Sequence, residues 1–188
     1  MEVISTQLPE VKLISPKVYY DNRGFFVETF QCDRYAAHGI GPQFVQDNLS
    51  YSRRGILRGL HLQYPHPQGK LVSVLQGEVF DVAVDIRVGS PNFGQWVGET
   101  LSAKNKRQLW IPEGFAHGFC VMSDAALLTY KCTNFYHKET DMNLRWDDPD
   151  IGIAWPISNP ELSNKDAQAP YLADIKSAQL PPYYPKFS

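Results

Sequence analysis

Cysteine is scarce: three residues in 188, at positions 32, 120 and 132, an odd count with no C-x-x-C pair. That gives no disulfide framework. Cys120 and Cys132 sit in apolar, strand-like runs. All three therefore read as reduced, mostly buried thiols, as expected of a cytoplasmic protein. Long apolar runs are missing as well, and no segment reaches the roughly 18 residues a membrane span needs. The opening MEVISTQLPEVKLISP has no charged region followed by an apolar stretch, so no signal peptide is expected. Nor is there an excess of charge of one sign. Eighteen Lys and Arg face 20 Asp and Glu, for a net charge of -2. This argues against a general nucleic-acid binder but leaves room for a local cationic site that holds a phosphate.

What is present suits a β-rich globule. Hydrophobic residues make up 43% of the chain, enough for one domain with a proper core over 1–188. Fourteen Pro and 13 Gly are scattered along it, so strands should be short and turns frequent. KLISPKVYY and FFVETF are β-rich runs around the turn cluster DNRG, which predicts a hairpin. QCDRYAAHGI predicts a short helix ended by Gly39, and FVQDNLSYS alternates like a half-buried strand. Seven strand candidates then lie between Leu57 and Thr133, broken by Gly, Pro or Asn. Such spacing suggests a sandwich or barrel and not βαβ units. DVAVDIR has a clean period of two that places Val82, Val84 and Ile86 on one face. Beyond residue 140 the chain reads as irregular, with a short helix or turn in WPISNPELSNKDAQAP and an extended tail at PPYYP.

One constellation carries chemistry. Metal-binding cupins read G-x5-H-x-H, a carboxylate, six residues and Gly, then P-x-G-x-x-H. Here Gly55 precedes His61 by that spacing, but Gln63 stands at the second His and Lys70 at the carboxylate, with Gly77 after it. Pro112, Gly114 and His117 fill the later motif. An ammonium in place of a carboxylate opposes a bound cation, and Gln is a weak ligand, so no metal and no cofactor is expected. What remains is an imidazole base, His61, near a cation, Lys70. That pair suits removal of a proton beside a carbonyl, with the cation stabilising the enolate oxygen.

GILRGLHLQYPHPQGKLVSVLQGEVFDVAVDIRVGSPNFGQW, WIPEGFAHGF and LLTYKCTNFY, with DNRGFFVETF near the start and SNKDAQAP near the end, resemble the dTDP-4-dehydrorhamnose 3,5-epimerase family. The resemblance implies a mainly β jelly roll of the cupin type with a few short helices. It implies a dTDP-linked 4-keto-6-deoxyhexose as substrate, inverted at C3 and C5, the two carbons that flank the C4 ketone. It implies His61 as base, Asp166 as its partner carboxylate, Tyr130 as proton donor and Lys70 as the enolate-stabilising cation. Arg23, Phe26 and Glu28 would reach a neighbouring subunit's site, in a homodimer with exchanged strands. Gln46 and Asn48 resemble contacts to the nucleotide, and Arg58 and Lys165 contacts to the diphosphate. His117 resembles a polar contact near sugar or phosphate. Tyr136 and Phe26 resemble stacking partners of thymine, and Asp141 stands where the family often has Glu. No nucleic acid and no membrane enters this picture. Three alternatives stay open at this point: an enzyme of the same fold that inverts only C3 or moves the keto group, a binding-only barrel, and a metal-dependent oxygenase. Asp166 also reads as a helix cap, and Tyr130 as a core tyrosine.

Overall fold

The computed structural model of the chain describes residues 1–41 and 43–185. Strands β1 (Glu2–Ser5) and β2 (Lys12–Ser15) open it, and β3 (Val18–Asp21) and β4 (Gly24–Val27) form a hairpin. Helix α1 (Cys32–Ala36) follows. Then come β5 (Gln46–Arg53), β6 (Leu57–Gln63), β7 (Lys70–Gln76), β8 (Glu78–Asp85) and β9 (Trp96–Ser102). After these lie β10 (Gln108–Ile111), β11 (Phe115–Val121), β12 (Ala125–Cys132), β13 (Asp141–Asn143) and helix α2 (Asn164–Ala167). One sheet has six strands in the order β1-β2-β10-β7-β12-β5, and a second has five in the order β13-β6-β11-β8-β9. The architecture is the expected mainly β jelly roll of the cupin type.

The hairpin differs in one respect from its sequence reading. KLISPKVYY is two strands, because Pro16 cannot continue a ladder. KLIS joins the six-stranded sheet beside β10, while VYYD pairs only with GFFV. That hairpin stands apart from both sheets.

The DVAVDIR alternation holds, and it decides where the site can be. Val82, Val84 and Ile86 pack on the outer face of the five-stranded sheet, with Leu60 and Leu62, under Leu144, Ile151, Leu172 and Leu180 of the C-terminal segment. The segment that looked irregular is therefore the cover of that sheet. Successive side chains of a strand point to opposite faces, so Asp81 and Ala83 turn into the space between the sheets. There the apolar filling is Val72, Val74, Leu109 and Leu128 against Val79, Ala83, Leu101 and Phe119. A third cluster, Ile14, Leu71 and Trp110 with Tyr35 of α1 and Ile40, closes the outer face of the six-stranded sheet. Gly39 takes φ +68 just past α1, where a left-handed residue ends the turn. The C-terminal tail is extended, as read: Tyr183 N–H donates to Val88 C=O at 2.9 Å, and the Tyr183 ring lies 5.0 Å from the Arg87 guanidinium.

Candidate active site

His61 lies on β6 directly opposite His117 of β11, and the pairing slips by one residue before Phe119 meets Arg58. The slip is a bulge centred on Gly59. A Cβ at Gly59 would stand 2.5 Å from Gly118 Cα and 2.8 Å from His117 C=O, and φ there is +131. Only glycine fits, and the irregularity it permits puts Arg58 and His61 on one face of β6.

His61 Nε2 is 2.7 Å from Asp166 Oδ1. The imidazole is about one-third exposed, at 36% of its side chain, and the carboxylate is buried. Asp166 is placed by α2. Ser163 is the N-cap, and its hydroxyl accepts the Asp166 N–H at 3.1 Å, which turns the third residue of the turn inward. Burial alone would raise the Asp166 carboxyl. The hydrogen bonds from His61, Ser163 and the Gly59 backbone outweigh it and hold the group below the ordinary carboxylate value. An ionised carboxylate only accepts, so the shared proton belongs on Nε2. The lone pair is then on Nδ1, the nitrogen left to act as a base.

Lys70 and Tyr130 come from the facing sheet. Tyr130 pairs with Val72, and Cys132 with Lys70; Tyr130 also pairs with Asn48, and Cys132 with Gln46. Two adjacent rows of one sheet thus deliver Lys70, Gln46, Asn48 and Tyr130 toward β6. The Lys70 ammonium lies 5.9 Å from the centre of the Tyr130 ring and makes no ion pair among the described residues. Burial lowers its proton affinity below that of an ordinary lysine, with partial relief from Cys132, Asp81 and Asp141. Burial raises the Tyr130 phenol, so it keeps its proton at neutral pH. His61, Lys70 and Tyr130 line one cavity of about 310 Å³.

The mouth is polar. Gln46 Oε1 accepts the Tyr136 N–H at 2.9 Å. Asp141 Oδ2 accepts both the Tyr136 hydroxyl at 2.9 Å and Lys165 Nζ at 2.6 Å. Lys165 and Asp166 are neighbours on α2, so one short helix serves both the rim and the floor.

The other candidates lie elsewhere. Arg58 does not line the cavity; its Nε donates to Ser52 Oγ at 2.9 Å. His117 is fully buried beside His61, its Nε2 3.0 Å from both oxygens of Asp81, and it does not line the cavity. Arg23, Phe26 and Glu28 do not line it either. Arg23 pairs with Asp21 at 2.6 Å and Glu28 with Arg34 at 2.8 Å, and Phe26 is 68% exposed. Gln63 lines the cavity with its amide fully engaged. Its Nε2 donates to the carbonyls of His66 and Phe135, and its Oε1 accepts the His137 N–H at 2.7 Å. With that amide spent and an ammonium beside it, the donor set does not suit a cation.

Polar residues at the site also escaped the sequence reading. Gln68 lines the cavity. Asn143 lies opposite His61 in the ladder and donates Nδ2–H to Asp166 Oδ1 at 2.6 Å. Its strand has three residues, too few for a periodicity to register.

A family model described as dTDP-4-dehydrorhamnose 3,5-epimerase matches residues 5–174. The dTDP-4-dehydrorhamnose 3,5-epimerase of Shigella flexneri is 56% identical over 176 residues, 93% of this chain and 97% of the relative. That of Neisseria gonorrhoeae is 55% identical over 181 residues, 96% of this chain, which spans about half (55%) of that relative's length. Among solved structures, the dTDP-6-deoxy-D-glucose-3,5-epimerase of Legionella pneumophila, in complex with dTDP-4-keto-L-rhamnose, superposes with a TM-score of 0.96. It is 56% identical, over 98% of this chain and 99% of that one. With the barrel and the cavity described above, these matches place the chain in the dTDP-4-dehydrorhamnose 3,5-epimerase family.

Proposed function

We propose that this chain inverts C3 and C5 of a dTDP-linked 4-keto-6-deoxyhexose without a metal, converting dTDP-4-dehydro-6-deoxy-D-glucose to dTDP-4-dehydro-L-rhamnose. The observation that carries the reading is the opposition of two walls in one cavity: a carboxylate-oriented imidazole on one, a buried ammonium and a protonated phenol on the other. His61 Nδ1 takes the C–H proton, and the bonding electrons move into the ring as the C4 oxygen becomes an enolate. Lys70 stabilises that oxygen in a site of low dielectric. Tyr130 O–H delivers a proton to the opposite face, and the charge collapses back to the ketone. His61 then returns its proton to water and the phenolate recovers one, so nothing is oxidised or reduced. The same base serves both carbons, because each flanks the one carbonyl.

Gln46, Asn48 and Tyr136 suit the base and sugar of the nucleotide, and Arg58 and Lys165 suit its diphosphate. His117 supports the floor beside His61. Asp141, shorter than the family's usual Glu, ties Lys165 and Tyr136 together at the rim. The isolated hairpin bears Tyr19, Tyr20, Phe25 and Phe26, each more than half exposed. Monomers rarely leave such a patch in water. Exchange of this hairpin in a homodimer would cover it and bring Arg23, Phe26 and Glu28 to the second copy's cavity. The reading is of one catalytic domain over 1–188, working in the cytoplasm.

The test is proton NMR of metal-free protein with dTDP-4-keto-6-deoxyglucose in heavy water. Deuterium entering at both C3 and C5, with formation of the L-sugar, is expected. Exchange at C3 alone would make the chain a single epimerase, and none would leave a binding barrel.

A further inference from the structure

We propose that Asn143 is a positioning residue for the base: its side-chain amide fixes the Asp166 carboxylate in the one orientation that keeps His61 in its Nε2–H form. The inference deepens the epimerase reading and rests on it. Asp166 Oδ1 takes two donors, His61 Nε2 at 2.7 Å and Asn143 Nδ2 at 2.6 Å. Both donors come from directly opposed residues of neighbouring strands, since Asn143 pairs with His61 across β13 and β6. Two donors on one oxygen define the plane of the carboxylate, and one alone would let it swing about its bond to Cβ.

The other end of the amide strengthens the argument. Asn143 Oδ1 is buried and has no hydrogen-bond partner among the described residues. An orphaned acceptor is a cost to the fold that an aliphatic side chain of similar size would avoid. Packing therefore does not account for an amide here, whereas its donor does. Nor can the amide turn over, because Oδ1 would then face the ionised Asp166 oxygen. Its orientation is set by the charge it supports. This is the arrangement by which a group behind a catalytic histidine selects the tautomer, extended one residue further back.

The experiment compares wild type with Asn143→Leu and Asn143→Ala, both checked for folding by thermal unfolding. With dTDP-4-keto-6-deoxyglucose, kcat for C3 and C5 exchange should fall about 10- to 100-fold, as when an orienting partner of a histidine is lost. KM should stay within about two-fold of wild type, since no substrate contact is removed. The unfolding temperature of Asn143→Leu should not drop. Nitrogen-15 NMR of the His61 ring, which needs no substrate, should show one Nε2–H tautomer in wild type and a mixture in both variants. In an Asp166→Asn background the Asn143 changes should cost nothing further. Wild-type kcat with a single tautomer in the variants would overturn the inference, as would an undiminished loss in the Asp166→Asn background. Absence of exchange in wild type would overturn the epimerase reading, while the ring spectra would still decide the role of Asn143.

Discussion

Replacing Lys70 by Met should stabilise the protein and disable it at once. The ammonium is buried, at 9% exposure, and makes no ion pair among the described residues; its surroundings disfavour its charge. Met follows the same unbranched path without a charge. A buried polar group without a full set of partners costs about 1–3 kcal/mol, and the variant should recover much of that. For a chain of this size each kcal/mol moves the unfolding midpoint by roughly 2–4 °C. The expected gain is therefore about 2–12 °C, measured at one fixed protein concentration. Loss of the enolate-stabilising charge should lower kcat by about 10²–10³-fold, the usual effect of removing one oxyanion partner.

The same perturbation has a pH signature with a definite sign. The folded protein holds the Lys70 proton more weakly than the unfolded chain does. Between the two values the unfolded state binds more protons, so wild-type stability rises with pH across that window. Met exchanges no proton. The advantage of Lys70→Met should thus be full below the lowered folded value and shrink as pH climbs toward the lysine reference of about 10.4. Wild-type activity should fall over the same alkaline range as the ammonium is lost. Calorimetry or denaturant unfolding of both proteins at several pH values is the assay. A variant less stable than wild type at neutral pH, or a difference that ignores pH, would refute the account of Lys70 as a charge held against the fold.

Asp166→Asn removes the acceptor that holds the proton on Nε2, and kcat should fall by about 10³–10⁴-fold with the fold intact, as in other carboxylate-oriented histidines; steady-state rates and circular dichroism check this. Tyr130→Phe should leave deuterium exchange running while net inversion drops, and equal loss of both would contradict the assignment of the phenol as donor. Gly59→Ala should destabilise by about 3 kcal/mol or more, because its Cβ meets backbone at 2.5 and 2.8 Å in a conformation L-residues avoid; an unfolding midpoint within error of wild type would show that the bulge can relax.

The strands were legible where both faces of a sheet mattered. In DVAVDIR the alternation separates what faces the cover from what faces the space between the sheets, and the structure separates them the same way. Two of the shortest strands were not legible. Four-residue β1 and three-residue β13 offer no period to read, and their existence depends on partners far along the chain. The meeting of His61 with Asp166 spans 105 residues, so only the family resemblance suggested it. Asn143 had not even that. The hairpin around DNRG forms as read, but the run KLISPKVYY divides for a local reason: Pro16 makes KLIS and VYYD separate strands, and only the second belongs to the hairpin.

The buried charges sort themselves by what they are for. Asp81 faces His117, Asp85 holds Arg87 and Ser90, and Asp148 accepts the Leu172 N–H that anchors the cover. Each of these carboxylates is neutralised or capped where it stands, which is what a fold requires of a charge taken out of water. Asp166 is partnered too, but its partner is an imidazole about one-third exposed at the wall of a cavity. Lys70 is the buried ion without a counter-ion among the described residues. In the proposed reaction its counter-charge is the negative charge that forms on the ketone oxygen when a neighbouring proton is removed. A site complete in the resting protein would bind its own groups to one another. This one is left short by one anion, and in the proposed reaction that shortfall suits the enolate and not the ground-state sugar.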